Sequence, residues 1–273
     1  MSLKRGSTRR NGSAIGYENR TSKTGSATGV WQLDEVYAKS LITDAWPEAP
    51  ATVTDPSFNN VRLLMPFGTN ANDVSNNSVV PSYTSIGGSS VYSSGKFGNG
   101  WQHQQGMVTY SDGNTWGSTS DGDYWIFEAW IRRTGNTWRG SSGNEVTGLL
   151  WFGAMELRGA GTSLYWYDSD DGTASGIATL ASTTTQNQWY HVLVHRSVSS
   201  IIESFYFYLD GVNKGLKQFI ISSHTQPVTF RIGTGTNAAV FDVDDIRLTE
   251  NANRHSISAG SNFTPPATPH PTQ

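Results

Sequence analysis

An all-β fold, a β-sandwich, is predicted by the pattern of residues 189–250. Runs of β-branched and aromatic residues alternate there with tight-turn signals, as is typical of paired antiparallel strands. Residues 189–196 carry such side chains in both alternating sets of positions, so we expect both faces of that strand to be covered. Asp210 and Gly211 directly follow an apolar run at 205–209, and Asp-Gly is a strong hairpin signal.

The final run, residues 240–248, alternates between apolar and acidic residues. Because successive side chains of a strand point to opposite faces, we expect the two sets on opposite sides of the sheet. The sets are Phe241, Val243 and Asp245 on one side and Asp242, Asp244 and Ile246 on the other. Further strands are predicted at residues 61–67, 124–132, 149–152, 163–167 and 228–232.

The composition bounds the class of protein. At 273 residues the chain fits one large all-β domain with extensions. It has no cysteine, which excludes a disulfide scaffold, a thiolate zinc site and a cysteine nucleophile. No apolar stretch approaches the roughly 20 residues of a spanning helix, so we expect no membrane insertion.

Residues 1–28 form a basic block that is predicted to be an extended anchoring arm. Its other residues are mostly Ser, Thr, Gly and Asn, which cannot bury enough apolar surface to fold alone. The residues expected to contact an acidic partner are Lys4, Arg5, Arg9, Arg10 and Arg20. A solvated tail is one alternative, and nucleic acid as the partner is a weaker one because the cations are scattered.

Residues 29–50 are predicted to be a short helical adaptor, because apolar residues recur at positions 30, 33, 37 and 41. Trp46, followed by proline, ends the pattern. Trp31, Tyr37 and Trp46 are the expected partner anchors of this segment. At the other end, residues 251–273 contain four prolines and are predicted to be an extended C-terminal tail.

Five segments resemble, in order, those of laminin-G-like, concanavalin A-type jelly-roll domains. They are KFGNG (96–100), YWIFEAWIR (124–132), WYHV (189–192), YLDG (208–211) and FDVDDIR (241–247). The resemblance implies a concanavalin A-like jelly-roll β-sandwich over residues 51–250. This fold hosts many activities, so the resemblance says little about function.

The adaptor resembles a short segment that precedes laminin-G-like domains in bacteriophage structural proteins, on Gly29, Val30, Trp31 and the later Trp46-Pro47. That resemblance implies a non-enzymatic virion protein, either a capsid decoration protein or a tail-attached adhesin. We expect it to assemble in the bacterial host cytoplasm, to form homo-oligomers, and to contact capsid, connector or tail proteins. The sandwich is expected to stabilise the particle or to bind host surface glycans. A glycan-active hydrolase or a free lectin is the alternative.

Hydrolysis by a retaining mechanism would need two carboxylates placed about 5 Å apart. One hydrolase group places them at positions i, i+2 and i+4 of a strand, and Asp242 and Asp244 match the first two. Ile246 occupies the third position, and Glu128 lies on another predicted strand. We therefore expect no enzymatic activity and assign no catalytic residue.

Four aromatic side chains are the candidates for a glycan site or a subunit interface, since flat rings pack against sugars and are enriched at interfaces, with a place in the core as the alternative. The candidates are Trp116, Trp138, Tyr165 and Tyr167. Trp116 and Trp138 lie in Gly/Ser/Asn-rich loops, and these two in particular are expected to lie outside the core.

The acidic turn formed by Asp168, Asp170 and Asp171 is a candidate calcium site, because this hard cation prefers carboxylate oxygens. The turn does not match the EF-hand pattern, and no other cofactor is expected. His191 and His195 are four residues apart, which in a strand places them about 13 Å apart. They are therefore expected to be core or partner-facing residues, not a shared zinc pair.

Overall fold

A computed structural model of the chain describes residues 55–67, 71–84, 91–103, 106–111, 120, 122–139, 146–171, 176–223, 229–233, 239–253, 255 and 257–271. The chain divides into two compact units, residues 1–53 and 54–273, and all described residues belong to the second. The predicted arm and adaptor, with their partner-binding residues, lie outside the described residues. In the part that is described, no helix is long and apolar enough to cross a membrane.

The described chain is built of antiparallel strands. They are β1 (Val61–Met65), β2 (Ser82–Thr84), β3 (Val91–Ser94), β4 (Asn99–His103), β5 (Met107–Tyr110), β6 (Tyr124–Arg133), β7 (Val146–Phe152), β8 (Met155–Ala160), β9 (Ser163–Asp168), β10 (Ala178–Ala181), β11 (Trp189–Ser199), β12 (Ile202–Leu209), β13 (Val212–Ile220), β14 (Phe230–Ile232) and β15 (Phe241–Glu250). Two short 3₁₀ turns, Phe58–Asn60 and Ile221–Ser223, complete the regular structure.

The strands form two sheets. The eight-stranded sheet has the order β13-β12-β11-β6-β15-β4-β3, with β1 also paired to β15. The seven-stranded sheet has the order β10-β9-β8-β7-β14-β5-β2. Long sequence separations between neighbours such as β6 and β15 are what a jelly-roll connection produces. The predicted all-β sandwich is confirmed.

The core lies between the two sheets. Phe127 and Phe207 of the eight-stranded sheet belong to the same buried cluster as Phe152, Trp166 and Phe230 of the seven-stranded sheet. The ring centroids of Phe127 and Phe230 are 5.5 Å apart, so aromatic contacts join the sheets directly. These side chains alternate with outward-facing ones along each strand, as the period of a strand requires.

The eight-stranded sheet is also covered on its outer face. Ile126 and Leu193 point away from the core and form a second buried cluster with Tyr208 and Ile257. Phe263 packs against this cluster, so the C-terminal residues form the cover. This explains why β11 is buried at nearly every position, and it confirms the expectation that both faces of residues 189–196 are covered.

The hairpin between β12 and β13 has the predicted two-residue turn. Asp210 and Gly211 have φ angles of 50° and 76°, the left-handed conformations of a type I′ turn. Phe263 donates its backbone N–H to the Gly211 carbonyl at 2.9 Å, which attaches the C-terminal segment to the turn. A Cβ at Gly211 would lie 2.0 Å from the carbonyl oxygen of Phe263, so the close approach also requires glycine.

Strand β15 departs from the predicted alternation. Its register against β6 shifts after Asp244, and Asp245 has a φ of 51°, which together define a β-bulge. As a result, Ile246 joins Phe241 and Val243 in the core, and the Asp245 carboxylate turns to the outer face. The prediction that Ile246 shares a face with Asp244, and Asp245 with Phe241, is therefore wrong. The extra residue of the bulge reverses the alternation from that point on.

Candidate functional site

The outer side of the seven-stranded sheet carries a group of aromatic and charged side chains, which we call the tyrosine face. It consists of Trp151 on β7, Glu156 and Arg158 on β8, and Tyr165 and Tyr167 on β9. On β9 the intervening Leu164 and Trp166 are buried in the core, so alternation places both tyrosines on the outer side, where they are half-buried.

The strand register brings these side chains into one row. Arg231 on β14 pairs with Trp151, Trp151 pairs with Glu156, and Glu156 pairs with Tyr167. The guanidinium carbon of Arg231 lies 5.9 Å from the centre of the Trp151 ring. Aromatic and charged side chains therefore alternate across four neighbouring strands.

Arg158 links the charged and aromatic parts of the tyrosine face. Its Nε lies 2.6 Å from Glu156 Oε2, and its guanidinium carbon lies 3.4 Å from the centre of the Tyr167 ring. Burial raises the pKa of Glu156, and the neighbouring Arg158 partly offsets that effect. Burial also raises the pKa of Tyr165, so its hydroxyl remains a hydrogen-bond donor well above neutral pH. The face thus offers flat rings beside fixed polar groups.

The two loop tryptophans that were predicted to lie outside the core have different outcomes. Trp138 is fully buried and belongs to the core cluster, so that prediction is wrong. Gly159 on β8 allows its approach, since a Cβ at that position would lie 2.3 Å from Trp138 Cγ. The backbone of Trp138 also bonds the Gly161 carbonyl and the Val240 N–H. Trp116 lies outside the described residues.

The carboxylates considered for hydrolysis are held in internal contacts. Asp242 has no exposed surface, and its Oδ2 accepts a 2.8 Å hydrogen bond from Arg132 Nε. Asp244 is 1% exposed and accepts the backbone N–H groups of Lys96 and Phe97 at 2.8 and 3.0 Å. Burial raises the pKa of Asp244 to about 6, with Asp245 adding to the shift and the two N–H groups opposing it.

The three aspartates of the predicted calcium turn do not converge. Asp168 is fully buried, and its Oδ1 accepts the backbone N–H of Asp170 at 2.8 Å. Asp171 forms an ion pair with Lys217 of β13. Within the described ranges, the one group of three or more potential metal ligands is Glu128, His255 and His270, on the opposite sheet.

That second site, the Glu128 cluster, lies on the outer face of the eight-stranded sheet. It comprises Glu128 of β6, His191 of β11, Asp245 of the β15 bulge, and His255 and His270 of the C-terminal segment. Glu128 Oε2 lies 3.2 Å from His191 Nε2 and 2.7 Å from His255 Nε2. Its Oε1 lies 3.0 Å from His270 Nε2.

The Glu128 carboxylate is stabilised in its charged form. Burial alone would raise its pKa, but the hydrogen bonds and charges of His191 and His255 lower that pKa well below its ordinary value. Both His191 and His195 are buried, and His191 contacts Glu128. His195 lies among the rings of Tyr124 and Tyr206 instead.

Sequence reasoning missed the Glu128 cluster as a site. One signal was available: a glutamate in the middle of an apolar, aromatic strand must be buried, and a buried carboxylate needs partners. The partners themselves are spread over three distant parts of the chain. Asp245 was assigned to the wrong face because a bulge leaves no trace in an alternating pattern.

No protein-family model matches the chain, and a comparison with curated proteins finds no match. Solved structures do match. The binding domain of Paraclostridial Mosquitocidal Protein 1 aligns with a TM-score of 0.53 at 13% identity, over 72% of this chain and 50% of that chain. The binding domain of botulinum neurotoxin DC, in complex with rat synaptotagmin II, aligns with a TM-score of 0.51 at 8% identity, over 71% and 48%.

The sandwich of this chain resembles one part of these toxin binding domains. The botulinum neurotoxin serotype G binding domain adds a TM-score of 0.50 at 13% identity, over 71% of this chain and 49% of that chain. The chain therefore spans about half the length of the structures it matches. At such identities the likeness concerns the antiparallel two-sheet sandwich alone, which agrees with the concanavalin A-like architecture expected from the sequence.

Proposed function

We propose that the chain is a non-enzymatic binding protein of a bacteriophage virion, either a capsid decoration protein or a tail-attached adhesin. Residues 1–28 and 29–50 anchor it to the particle, and the sandwich presents the tyrosine face to a host surface glycan. The tyrosine face is the observation that carries the proposal. The resemblance of residues 29–50 to bacteriophage structural proteins supports the virion as its location.

The tyrosine face has the chemistry of a sugar-binding surface. Tyr165 and Tyr167 are neighbours on the outer side of β9, and the Glu156–Arg158 pair lies beside them. Flat rings pack against the apolar faces of sugars, while fixed charged groups hydrogen-bond hydroxyls and set the orientation. The structural neighbour solved with synaptotagmin II supports a binding role for a sandwich of this kind only by analogy.

An edge strand supplies a surface for contact between copies of the chain. Strand β13 is last in the order of the eight-stranded sheet. Its Val212, Leu216 and Ile220 are 44%, 49% and 52% exposed, so apolar side chains recur along the edge. Sheet edges of this kind pair readily with another chain.

Many copies on one particle would convert weak glycan contacts into avidity.

A hydrolase on the same fold is the competing function. It requires an open carboxylate pair, whereas Asp242 is bound by Arg132 and Asp244 is 1% exposed. Glu128 is 1% exposed and surrounded by histidines. These contacts favour binding over hydrolysis.

The glycan-binding part is tested with host surface glycans immobilised on a biosensor. Tyr167→Ala and Tyr165→Ala should each weaken binding about tenfold, since loss of one stacked ring costs on the order of 1–2 kcal/mol. Tyr83→Ala is the matched control, because Tyr83 is 56% exposed on β2 at the far edge of the same sheet. Equal binding by all four proteins would refute the assignment of the tyrosine face.

The virion part is tested separately by incubating assembled particles with the full chain and with a chain that begins at Ala51. We expect only the full chain to sediment with the particles. Equal sedimentation of both would place the docking surface on the sandwich. Failure of both to bind would remove the support for a virion location.

A further inference from the structure

The Glu128 cluster brings metal-binding atoms together in a buried position. One donor atom each from Glu128, His255 and His270 lie within 4.8 Å of one another. Glu128 is 1% and His270 3% exposed, and the His255 side chain is 9% exposed. Tetrahedral ligands bonded at 2.0–2.1 Å lie about 3.4 Å apart, so a small outward movement of these side chains creates room for an ion.

The surroundings of the His270 ring are the strongest indication that the cluster binds a ligand. Its Nε2 lies 3.0 Å from Glu128 Oε1 and its Nδ1 lies 2.7 Å from Asp245 Oδ2. Neither nitrogen is aligned for a hydrogen bond within the described part of the chain, although both are buried. A metal ion bonded to Nε2 would replace the poorly aligned contact with Glu128, while Nδ1 stays beside the Asp245 carboxylate.

Asp245 lies beside the ring nitrogen of His270 that would not bind the metal. A histidine that binds a metal through one ring nitrogen commonly donates the N–H of the other nitrogen to a carboxylate. This hydrogen bond fixes the orientation and the tautomer of the ring. The Asp245 carboxylate contacts the Nδ1 side of His270, and it also accepts the His270 backbone N–H at 3.1 Å. The bulge of β15 is what turns this carboxylate toward His270. His191 supports Glu128 in a similar way, because its Nε2 contacts the Glu128 carboxylate.

We propose that Glu128, His255 and His270 bind one Zn²⁺ ion, with Asp245 and His191 as supporting residues. Two imidazoles and one carboxylate are a zinc donor set, while calcium and magnesium prefer oxygen ligands throughout. One divalent ion also balances the charges of two buried carboxylates, Glu128 and Asp245, with the imidazoles neutral.

The role of this ion is structural. Glu128 belongs to the central strand β6, whereas His255 lies 127 residues later in the segment that covers the sheet. His270 lies further along the same segment. One ion bonded to all three would fasten both ends of the cover to the sheet, in addition to the apolar contacts of Ile257 and Phe263.

The test uses the full chain without a histidine tag, treated with a chelator and then titrated with Zn²⁺ by calorimetry. We expect one ion per chain, and Co²⁺ in place of Zn²⁺ should give the visible absorption of a tetrahedral site. His255→Ala should weaken Zn²⁺ binding at least 100-fold. Asp245→Asn should weaken it about 10- to 100-fold, as removal of supporting carboxylates does at other sites.

His195→Gln is the matched control, because His195 is a buried histidine on the same strand as His191 that contacts tyrosine rings. Its Zn²⁺ affinity should equal that of the unaltered chain. His255 is partly exposed and lies outside the strands, so the fold of its variant is checked by circular dichroism and should be retained. Two results would overturn the proposal: no binding of Zn²⁺ at micromolar concentration by the unaltered chain, or unchanged affinity in His255→Ala.

Discussion

Buried carboxylates on the eight-stranded sheet differ in what balances their charge. Asp242 is bound by Arg132, and Glu203 forms a fully buried pair with Arg196. Asp244 instead accepts two backbone N–H groups, and burial raises its pKa to about 6. Removing one partner of a buried pair leaves an uncompensated charge, so loss of either arginine should destabilise the fold.

Asp244 gives the protein a pH-dependent stability. Its carboxyl has a pKa of about 6 in the folded chain against 3.8 as the ordinary value, so the folded state binds the proton more tightly. The stabilising effect is complete below about pH 4 and is lost as the pH rises through about 6. Asn does not titrate, so Asp244→Asn should not share this loss. As the pH rises from 4 to 7, we expect the free energy of unfolding of Asp244→Asn to increase by up to about 3 kcal/mol relative to that of the unaltered chain. Urea unfolding across that range measures it; parallel curves for the two proteins would contradict the prediction.

Gly159 is the residue that admits Trp138 to the core. A Cβ there would lie 2.3 Å from Trp138 Cγ, so Gly159→Ala should lower the free energy of unfolding by roughly 1–3 kcal/mol through overpacking. Trp138→Phe alone should also destabilise, by leaving a cavity. The double variant should lose less than the sum of the two changes, because the smaller ring relieves the clash. Strict additivity in denaturant unfolding would show that the two residues do not interact.

At the scale of elements, the facing of side chains could be predicted for strands with regular alternation. It could not be predicted for a strand that contains a bulge. The strand at residues 163–167 was predicted and corresponds to β9, on which regular alternation places Tyr165 and Tyr167 on the outer side. The same argument failed on β15, because the bulge at Asp245 shifts the register and reverses the alternation. The prediction for Trp138 was wrong because it relied on the composition of its own loop. The feature that admits the ring to the core is Gly159, which lies on a different strand.

The left-handed conformation of Asp245 makes the bulge sensitive to the residue at this position. Its φ of 51° is tolerated by Asp and Asn and is poorly accessible to β-branched residues. Asp245→Val should therefore destabilise the chain by about 2 kcal/mol or more, whereas Asp245→Asn should remain within about 1 kcal/mol of the unaltered chain. Thermal unfolding of both variants, purified with chelator to exclude metal effects, distinguishes them. Equal midpoints would mean that the bulge can form without this conformational preference.

At the scale of the whole molecule, the sandwich follows from local periodicity, whereas the Glu128 cluster requires the complete chain. Glu128 and His255 are 127 residues apart, and no local pattern connects them. The cover over the eight-stranded sheet has no regular secondary structure in residues 257–271, so its packing depends on single contacts. Proline content alone predicted an extended segment and gave no indication of where it lies.

Removal of the cover tests how much the sheet depends on it. A chain that ends at Glu250 exposes Ile126, Leu193 and Tyr208, each worth about 1.5–3 kcal/mol when fully buried. We expect a loss of stability on the order of 5 kcal/mol together with strong binding of a hydrophobic dye. A chain that ends at Pro271 is the control and should behave as the full protein. An unchanged unfolding midpoint after truncation at Glu250 would show that the apolar contacts contribute little.

The same cover imposes an order of events during synthesis. Strands β6 and β11 pair with each other and leave the ribosome before His255 and His270 are made, so their outer face is first exposed to water. During that interval the Glu128 carboxylate is hydrated, and its charge lies between apolar neighbours that would otherwise attract other nascent chains. We therefore expect the charge of Glu128 to oppose aggregation of the chain until the cover is in place.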